Sequence, residues 1–272
     1  MYLFLCYNFI GDDMKDYLNF AIEMARYAGK EMLKYFHDDK DISFKADDTV
    51  VTKIDKDINS YLIECVHEKY PDHSVIGEEE KSIKDSPFVW VCDPLDGTGM
   101  YANQIPVSVF SLALVIDGVP SVGVVFDPFL DSMYTAIIGE GAFCNGNRIS
   151  VNHLQFGDKG YRLNYEMWNH AVVDTMLIAH DNVSKVKISS IGSVARSCMA
   201  VASGFFSADL FPGTEHGNCD MAASYLIVTE AGGRVTDIFG NDQRYDQDIQ
   251  GAIISNGVSH DELVSIVKNY IK

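Results

Sequence analysis

A layered α/β body with its ligand site at strand ends is the fold this chain predicts, on three observations. Helical periodicity fills the N-terminal part, short β-rich runs between turn residues dominate the middle, and helices and strands mix in the last part. One apolar run, Phe88-Val89-Trp90-Val91-Cys92, is closed by a Pro-containing turn that carries two acids, Asp93 and Asp96. No internal repeat, low-complexity tract or flexible linker interrupts the 272 residues.

The elements follow in order. From Asp12 to about His37, Met14, Leu18, Ala21, Ala25, Ala28, Met32 and Phe36 recur at helical spacing, with Asp12 or Asp13 as N-cap. The apolar stretch before it looks superficially like a signal sequence. It has no basic region and no small-residue cleavage site, and it is too short to span a bilayer. Residues 1–13 are therefore expected to be a tail without an anchor, Met14 being the more usual beginning.

After a polar loop around Lys45, a second helix runs through Ile58, Leu62, Cys65 and Val66 and ends before Pro71, with Thr52 or Asp55 available to cap it. Lys45, alone on a loop, reads as solvated. Ser74–Gly77 is a short strand ending at Glu78-Glu79-Glu80, and three glutamates in a row are normally a solvated charge run. Residues 107–116, 121–126 and 133–138, with turns at Asp117-Gly118 and Asn145-Gly146, form a meander that supplies core.

Residues 151–188 carry no readable pattern, Arg162 to His170 included. Beyond them, Ser189 to Ser193 lead into a helix over Val194–Ser203 that Gly204 closes. The Gly- and Pro-rich loop 211–218 precedes a helix that Asp220 begins, as N-cap or as ligand, and that Gly232-Gly233 ends. A strand over 251–255 and a helix over 261–270 complete the chain.

The composition, 47% hydrophobic and 22% charged, is that of a soluble globular enzyme. The net charge of −18, from 39 acidic and 21 basic residues, argues against a nucleic-acid or anionic-membrane partner. It would repel a phosphate substrate as well, unless cations first neutralised the site. Six scattered cysteines with no C-x-x-C pair suggest neither a zinc site nor a disulfide framework, and point to a reducing compartment, by default the cytoplasm.

Pro94 restricts the turn after Cys92, Gly97 lets backbone approach a ligand, and clustered carboxylate and carbonyl oxygens suit Mg2+. Asp-Pro-x-Asp-Gly alone is more often a plain turn. Its company is Gly77-Glu78-Glu79 upstream and, downstream, Cys219-Asp220-Met221-Ala222-Ala223 followed by Glu230-Ala231-Gly232-Gly233. With Asp93-Pro94-Leu95-Asp96-Gly97-Thr98, these blocks resemble the signature of the inositol monophosphatase family, in its usual order and spacing.

That resemblance implies a five-layer α-β-α-β-α sandwich of the sugar-phosphatase type. It would occupy 14–272 as a single domain, with subregions 14–150 and 185–272 joined by a variable segment. It implies an Mg2+-dependent phosphomonoesterase, with Mn2+ as an alternative cation. Glu78, Asp93 and the Leu95 carbonyl would hold one ion, Asp93, Asp96 and Asp220 a second, and a looser third would lean on Glu78. Thr98, held by Asp55, would orient the attacking water, and the backbone N–H groups of Gly97 and Thr98 would cradle the phosphate. Glu215, His216 and Arg196 are candidate substrate contacts, although Arg196 could equally form a salt bridge. A homodimer and inhibition by Li+ are further implications.

Departures bear on the substrate. Gly99-Met100-Tyr101 stands where relatives carry a polar residue and then Asn-Phe, Cys219 replaces a Trp, Ser224 a Gly, and Gly213 the acid that contacts inositol hydroxyls. An inositol-1-phosphate-like ester therefore competes with histidinol phosphate, fructose 1,6-bisphosphate and a 3'-phosphorylated adenosine nucleotide. A catalytically idle metal- or phosphosugar-binding regulator is the non-enzyme alternative.

Overall fold

The computed structural model describes residues 7–38, 42–44, 50–167, 173–213 and 217–271. It opens on a long helix, α1 (Tyr7–Tyr35), a hairpin of β1 (Ile42–Phe44) and β2 (Val50–Thr52), and α2 (Lys53–Lys69). An eight-stranded sheet follows, built from β3 (Ser74–Gly77), β4 (Lys81–Ser82), β5 (Phe88–Asp96), β6 (Val109–Ile116), β7 (Val119–Asp127), β8 (Ser132–Ile137), β9 (Gly141–Cys144) and β10 (Asn147–Arg148). Its order is β10-β9-β8-β7-β6-β5-β3-β4, antiparallel except where β3 runs parallel to β5. A short α3 (Thr98–Ala102) leaves the end of β5.

The second sheet has five strands, β11 (Arg162–Tyr165), β12 (Lys187–Ser189), β13 (Ala208–Phe211), β14 (Arg234–Thr236) and β15 (Ala252–Ser255), in the order β12-β11-β13-β15-β14. Between and around these strands lie α4 (Thr175–Asn182), α5 (Val194–Ala202), α6 (Gly217–Glu230) and α7 (His260–Val267).

Strand alternation distributes the core. On β5 and β6, Trp90, Cys92, Leu112 and Leu114 face α1 and α2, where they meet Met32 and Leu62. The residues between them, Val91, Ala113 and Val115, face α5 and α6, meeting Cys198, Met199, Leu226 and Ile227. That second cluster continues to Phe211, Val235 and Ile254 of the five-stranded sheet. The outer face of this sheet, with Leu163, Leu210 and Ile253, is covered by Ile178 of α4 and Leu263 and Val267 of α7. The layers are therefore α-β-α-β-α, as expected. In the middle layer α6 is buried on nearly every side. Small residues let it lie close, because a Cβ on Gly123 would meet the Ala223 carbonyl oxygen at 3.2 Å.

Three boundaries differ from expectation. Helix α1 begins at Tyr7, so residues 7–13 are helical rather than a tail, and Asp13 sits inside the helix instead of capping it. Once nucleated, a helix propagates through such a stretch, since Gly11 alone is a tolerable interruption. Helix α6 begins at Gly217, so Asp220 lies in its first turn rather than at the cap. Residues 151–188 contain β11, α4 and the start of β12, pieces too short for periodicity to reveal.

Leu112 is fully buried between α1/α2 and the large sheet. Leu112→Ala is expected to destabilise the protein by about 2–5 kcal/mol, the range for a buried leucine, read as a lower urea midpoint at unchanged slope.

Candidate active site

The two acids of the Asp93-Pro94-Leu95-Asp96 turn are three residues apart, and along a regular strand they would point to opposite faces. A bulge corrects this. Asp93 pairs with Ser111 and Asp96 with Val109, so three steps on β5 oppose two on β6. Partners two residues apart share a face, and both carboxylates therefore reach the same side. Pro94, which has no N–H to give a ladder, occupies the interruption. The Asp93 Oδ1 accepts the Leu95 N–H at 2.8 Å and fixes the turn.

Asp220, in the first turn of α6, meets them. One ligand oxygen from each of Asp93, Asp96 and Asp220 lies within 4.8 Å of the others. Burial pushes the Asp93 carboxyl well up, and the charges of Glu78, Asp220 and Asp96 push it further. Asp96 is raised to about 6, again by burial, against the hydrogen bonds that favour its ionised form. Those bonds come from the start of α5, where Ser193 Oγ, Val194 N and Ala195 N donate to the Asp96 carboxylate at 2.6, 3.2 and 2.7 Å. An all-oxygen set of mutually repelling, buried carboxylates is the donor chemistry of a hard divalent cation, and the residues present fit one. Glu78 is not in the tight cluster, yet its charge acts on Asp93, Asp96 and Asp55.

Asp55 contacts both the helix start and Thr98. Its Oδ2 accepts the Thr52 N–H at 2.9 Å and closes a capping box on α2, while Oδ1 accepts the Thr98 hydroxyl at 3.0 Å. Thr98 Oγ1 also lies 2.9 Å from the Leu95 carbonyl oxygen. Burial raises Asp55 to about 7. Gly97 has φ +86°, and a Cβ there would press on Ser193 Cβ at 3.0 Å and the Gly192 carbonyl oxygen at 3.1 Å. One turn along α2 from Asp55, Asn59 Oδ1 accepts the N–H groups of Glu79 and Glu80, and its Nδ2 donates to the Glu80 carbonyl. Asn59 thus shapes the turn that carries Glu78, and it leaves no room for a side chain at Gly77.

The inositol monophosphatase family model matches residues 13–272. The chain belongs to the inositol monophosphatase family. Members of this family are phosphoric monoester hydrolases. Inositol monophosphatase 1 of Bos taurus is 30% identical over 243 residues, 85% of this chain and 87% of that protein. Nus factor SuhB of Pasteurella multocida is 34% identical over 244 residues, covering 84% and 87%. In structure, Thermotoga maritima IMPase superposes with a TM-score of 0.84 at 28% identity, over 93% of this chain and 97% of that one.

In this inositol monophosphatase family member, the other expected site residues separate. Glu215 and His216 lie outside the described residues. Of the two expectations for Arg196, the salt bridge is present: its Nε pairs with the buried Asp127 carboxylate of β7 at 2.8 Å. Behind α5 lies a polar network that sequence reasoning missed. Asn164 Nδ2 donates to Glu166 at 3.1 Å and to Asp209 at 2.9 Å, Ser197 Oγ donates to Asp209, and Gly192 N reaches Glu166 Oε1 at 3.4 Å. Burial, then the charge of Asp209, raises Glu166 to about 8. Only polar residues recurring within apolar runs hint at these positions, as at Asp55 and Asn59 on the buried face of α2.

These raised carboxyls set the sign of the pH response. Folded, Asp96, Asp55 and Glu166 hold protons up to about 6, 7 and 8, whereas unfolded carboxylates release them near about 4. Between those limits these three carboxyls bind more protons folded than unfolded, so their contribution falls as pH rises, opposed below about 6.5 by His260, which burial lowers to about 4. Metal-free protein in EDTA is expected to melt several degrees lower at about pH 8 than at about pH 6, as Asp55 and Glu166 ionise. Mg2+ is expected to restore more at the higher pH, because it binds the ionised cluster of the folded state. Differential scanning calorimetry checks both.

Proposed function

We propose that the chain is an Mg2+-dependent phosphomonoesterase that hydrolyses a small phosphate ester with water as nucleophile. The observation that carries this reading is the joining of a three-carboxylate cluster to a Thr98–Asp55 pair through one strand end, Asp93 to Thr98. Asp93, Asp96 and Asp220, with Glu78 and the Leu95 carbonyl, are the residues to hold two to three ions. Bound divalent cations supply charge neutralisation for the phosphoryl and leaving-group oxygens of an in-line displacement.

The chain's own groups do the rest. Thr98 Oγ1, held by Asp55, accepts a hydrogen bond from the attacking water and relays its proton to the Asp55 carboxylate. The N–H groups of Gly97 and Thr98 lie where the left-handed turn opens and donate to phosphate oxygens. Gly97 permits this approach because it has no Cβ.

An inositol-1-phosphate-like ester is the first substrate to test, from the name of the Bos taurus relative and the shared family. Histidinol phosphate, fructose 1,6-bisphosphate and a 3'-phosphorylated adenosine nucleotide remain the competing esters, because Met100, Gly213 and Cys219 depart from the family's pattern. The name of the Pasteurella multocida relative, a Nus factor, favours a second reading, a regulatory protein; the catalytically idle binder is one form of it. A homodimer and inhibition by Li+ belong to the proposal too.

Phosphate release from a panel of these esters tests it. Turnover of one ester is expected with Mg2+ and not with EDTA, and it should vanish in Asp93→Asn. Thr98→Ala and Asp55→Asn should each lower kcat by roughly 10²–10⁴-fold, the range for a positioned proton-transfer group. Glu80→Gln should leave turnover unchanged. Turnover that survives EDTA would sink the metal reading, and a wild type inert on every ester would favour the regulator.

A further inference from the structure

Asp96 and Asp127 lie at the same end of the eight-stranded sheet. Asp96 pairs with Val109 on β6, and the next residue, Phe110, pairs with Phe126 on β7, beside Asp127. The first turn of α5 reaches both. Ser193 Oγ and the N–H groups of Val194 and Ala195 converge on Asp96, while Arg196 Nε pairs with Asp127 at 2.8 Å. The two attachments share one cap, because Ser193 Oγ also accepts the Arg196 N–H at 3.3 Å.

Asp127 is a rigid anchor. It is 1% exposed, and its Oδ1 accepts the N–H groups of Phe129 and Leu130, both at 3.0 Å. Bonds that converge on one carboxylate form a single pivot, about which the helix start can turn. A second attachment two strands away removes that freedom. A divalent cation would share the Asp96 oxygens with the donors of α5, so the preset of Asp96 would depend on how firmly that turn is held.

We propose that Arg196 is a positioning residue, stapling the first turn of α5 to β7 so that Asp96 is preset for a divalent cation. The inference rests on the metal reading above. Partners that orient a metal ligand from outside the coordination sphere commonly contribute 10–100-fold to affinity, and one acting through a helix turn belongs at the lower end, about tenfold.

The experiment is calorimetric titration of Mg2+ into metal-free full-length protein at neutral pH, which reads binding without turnover. Arg196→Met removes the charge and keeps an apolar chain, Arg196→Lys keeps the charge without the planar fork, and Leu263→Ala destabilises the outer layer far from the cluster. Arg196→Met is expected to bind Mg2+ about tenfold more weakly, with Arg196→Lys between it and the wild type and Leu263→Ala at the wild-type value. If Arg196→Met does not fold, Asp127→Asn weakens the same pair and should shift affinity in the same direction. Unchanged affinity in the folded pair-breaking variant overturns the inference while leaving the metal reading intact. So does an equal loss in Leu263→Ala, which would reduce the effect to general stability. A wild type that binds no Mg2+ overturns the metal reading and this inference together.

Discussion

Buried carboxylates that face one another repel in a medium with little water to screen them, and the repulsion is relieved only by a proton or a cation among them. Asp93 lives under that constraint. It is almost fully buried, with Glu78, Asp96 and Asp220 all acting on it, and the surrounding structure is arranged to keep these groups together despite the cost. The bulge at Pro94-Leu95 turns two acids to one side, the start of α5 steadies Asp96 with three donors, and α6 delivers the third acid from the middle layer. A site built this way is strained when metal-free. Cation binding and folding are then coupled, because the ion is bound only by the state that gathers the acids.

The middle helical layer makes this possible. Both α5 and α6 lie between the two sheets, share one continuous core with each, and point a first turn at the end of β5. Neither helix could be moved without disturbing the site, so packing and chemistry are set by the same contacts. The polar network of Asn164, Glu166, Asp209 and Ser197 extends this support into the second sheet. It gives the short strands β11 and β13 a part in holding the loop before α5, although neither reaches the cluster itself.

Arg196 illustrates how sequence position and spatial role diverge. A cation near a candidate anion site invites assignment to substrate, and on the chain it stands three residues after the Ser193 that binds Asp96. On a helix that spacing returns the side chain to a neighbouring face, and the nearest acid available there is Asp127. A buried acid fixed by its own turn supplies the guanidinium's partner. Asp55 diverges the other way. Helix cap and holder of Thr98 are alternatives on the sequence, yet a carboxylate has two oxygens, and one bonds Thr52 N while the other bonds the Thr98 hydroxyl.

The local signals, and the family motifs they compose, were legible because they depend on neighbours along the chain. Trp90 and Cys92 alternate with Val91, the turn after Cys92 carries its acids, and Gly77-Glu78 ends a strand, whatever the rest of the chain does. What the tertiary structure alone decided is every relation between distant segments. The one-residue bulge that puts Asp93 and Asp96 on one face depends on the register against β6. The contact of Asp96 with α5 joins residues about a hundred positions apart, as does the Arg196 pair to a lesser degree, and the place of Asn59 behind Glu78 depends on how α2 lies against β3. Residues 151–188 stayed unreadable for the same reason, since their short elements are specified by the sheet they complete more than by any period of their own.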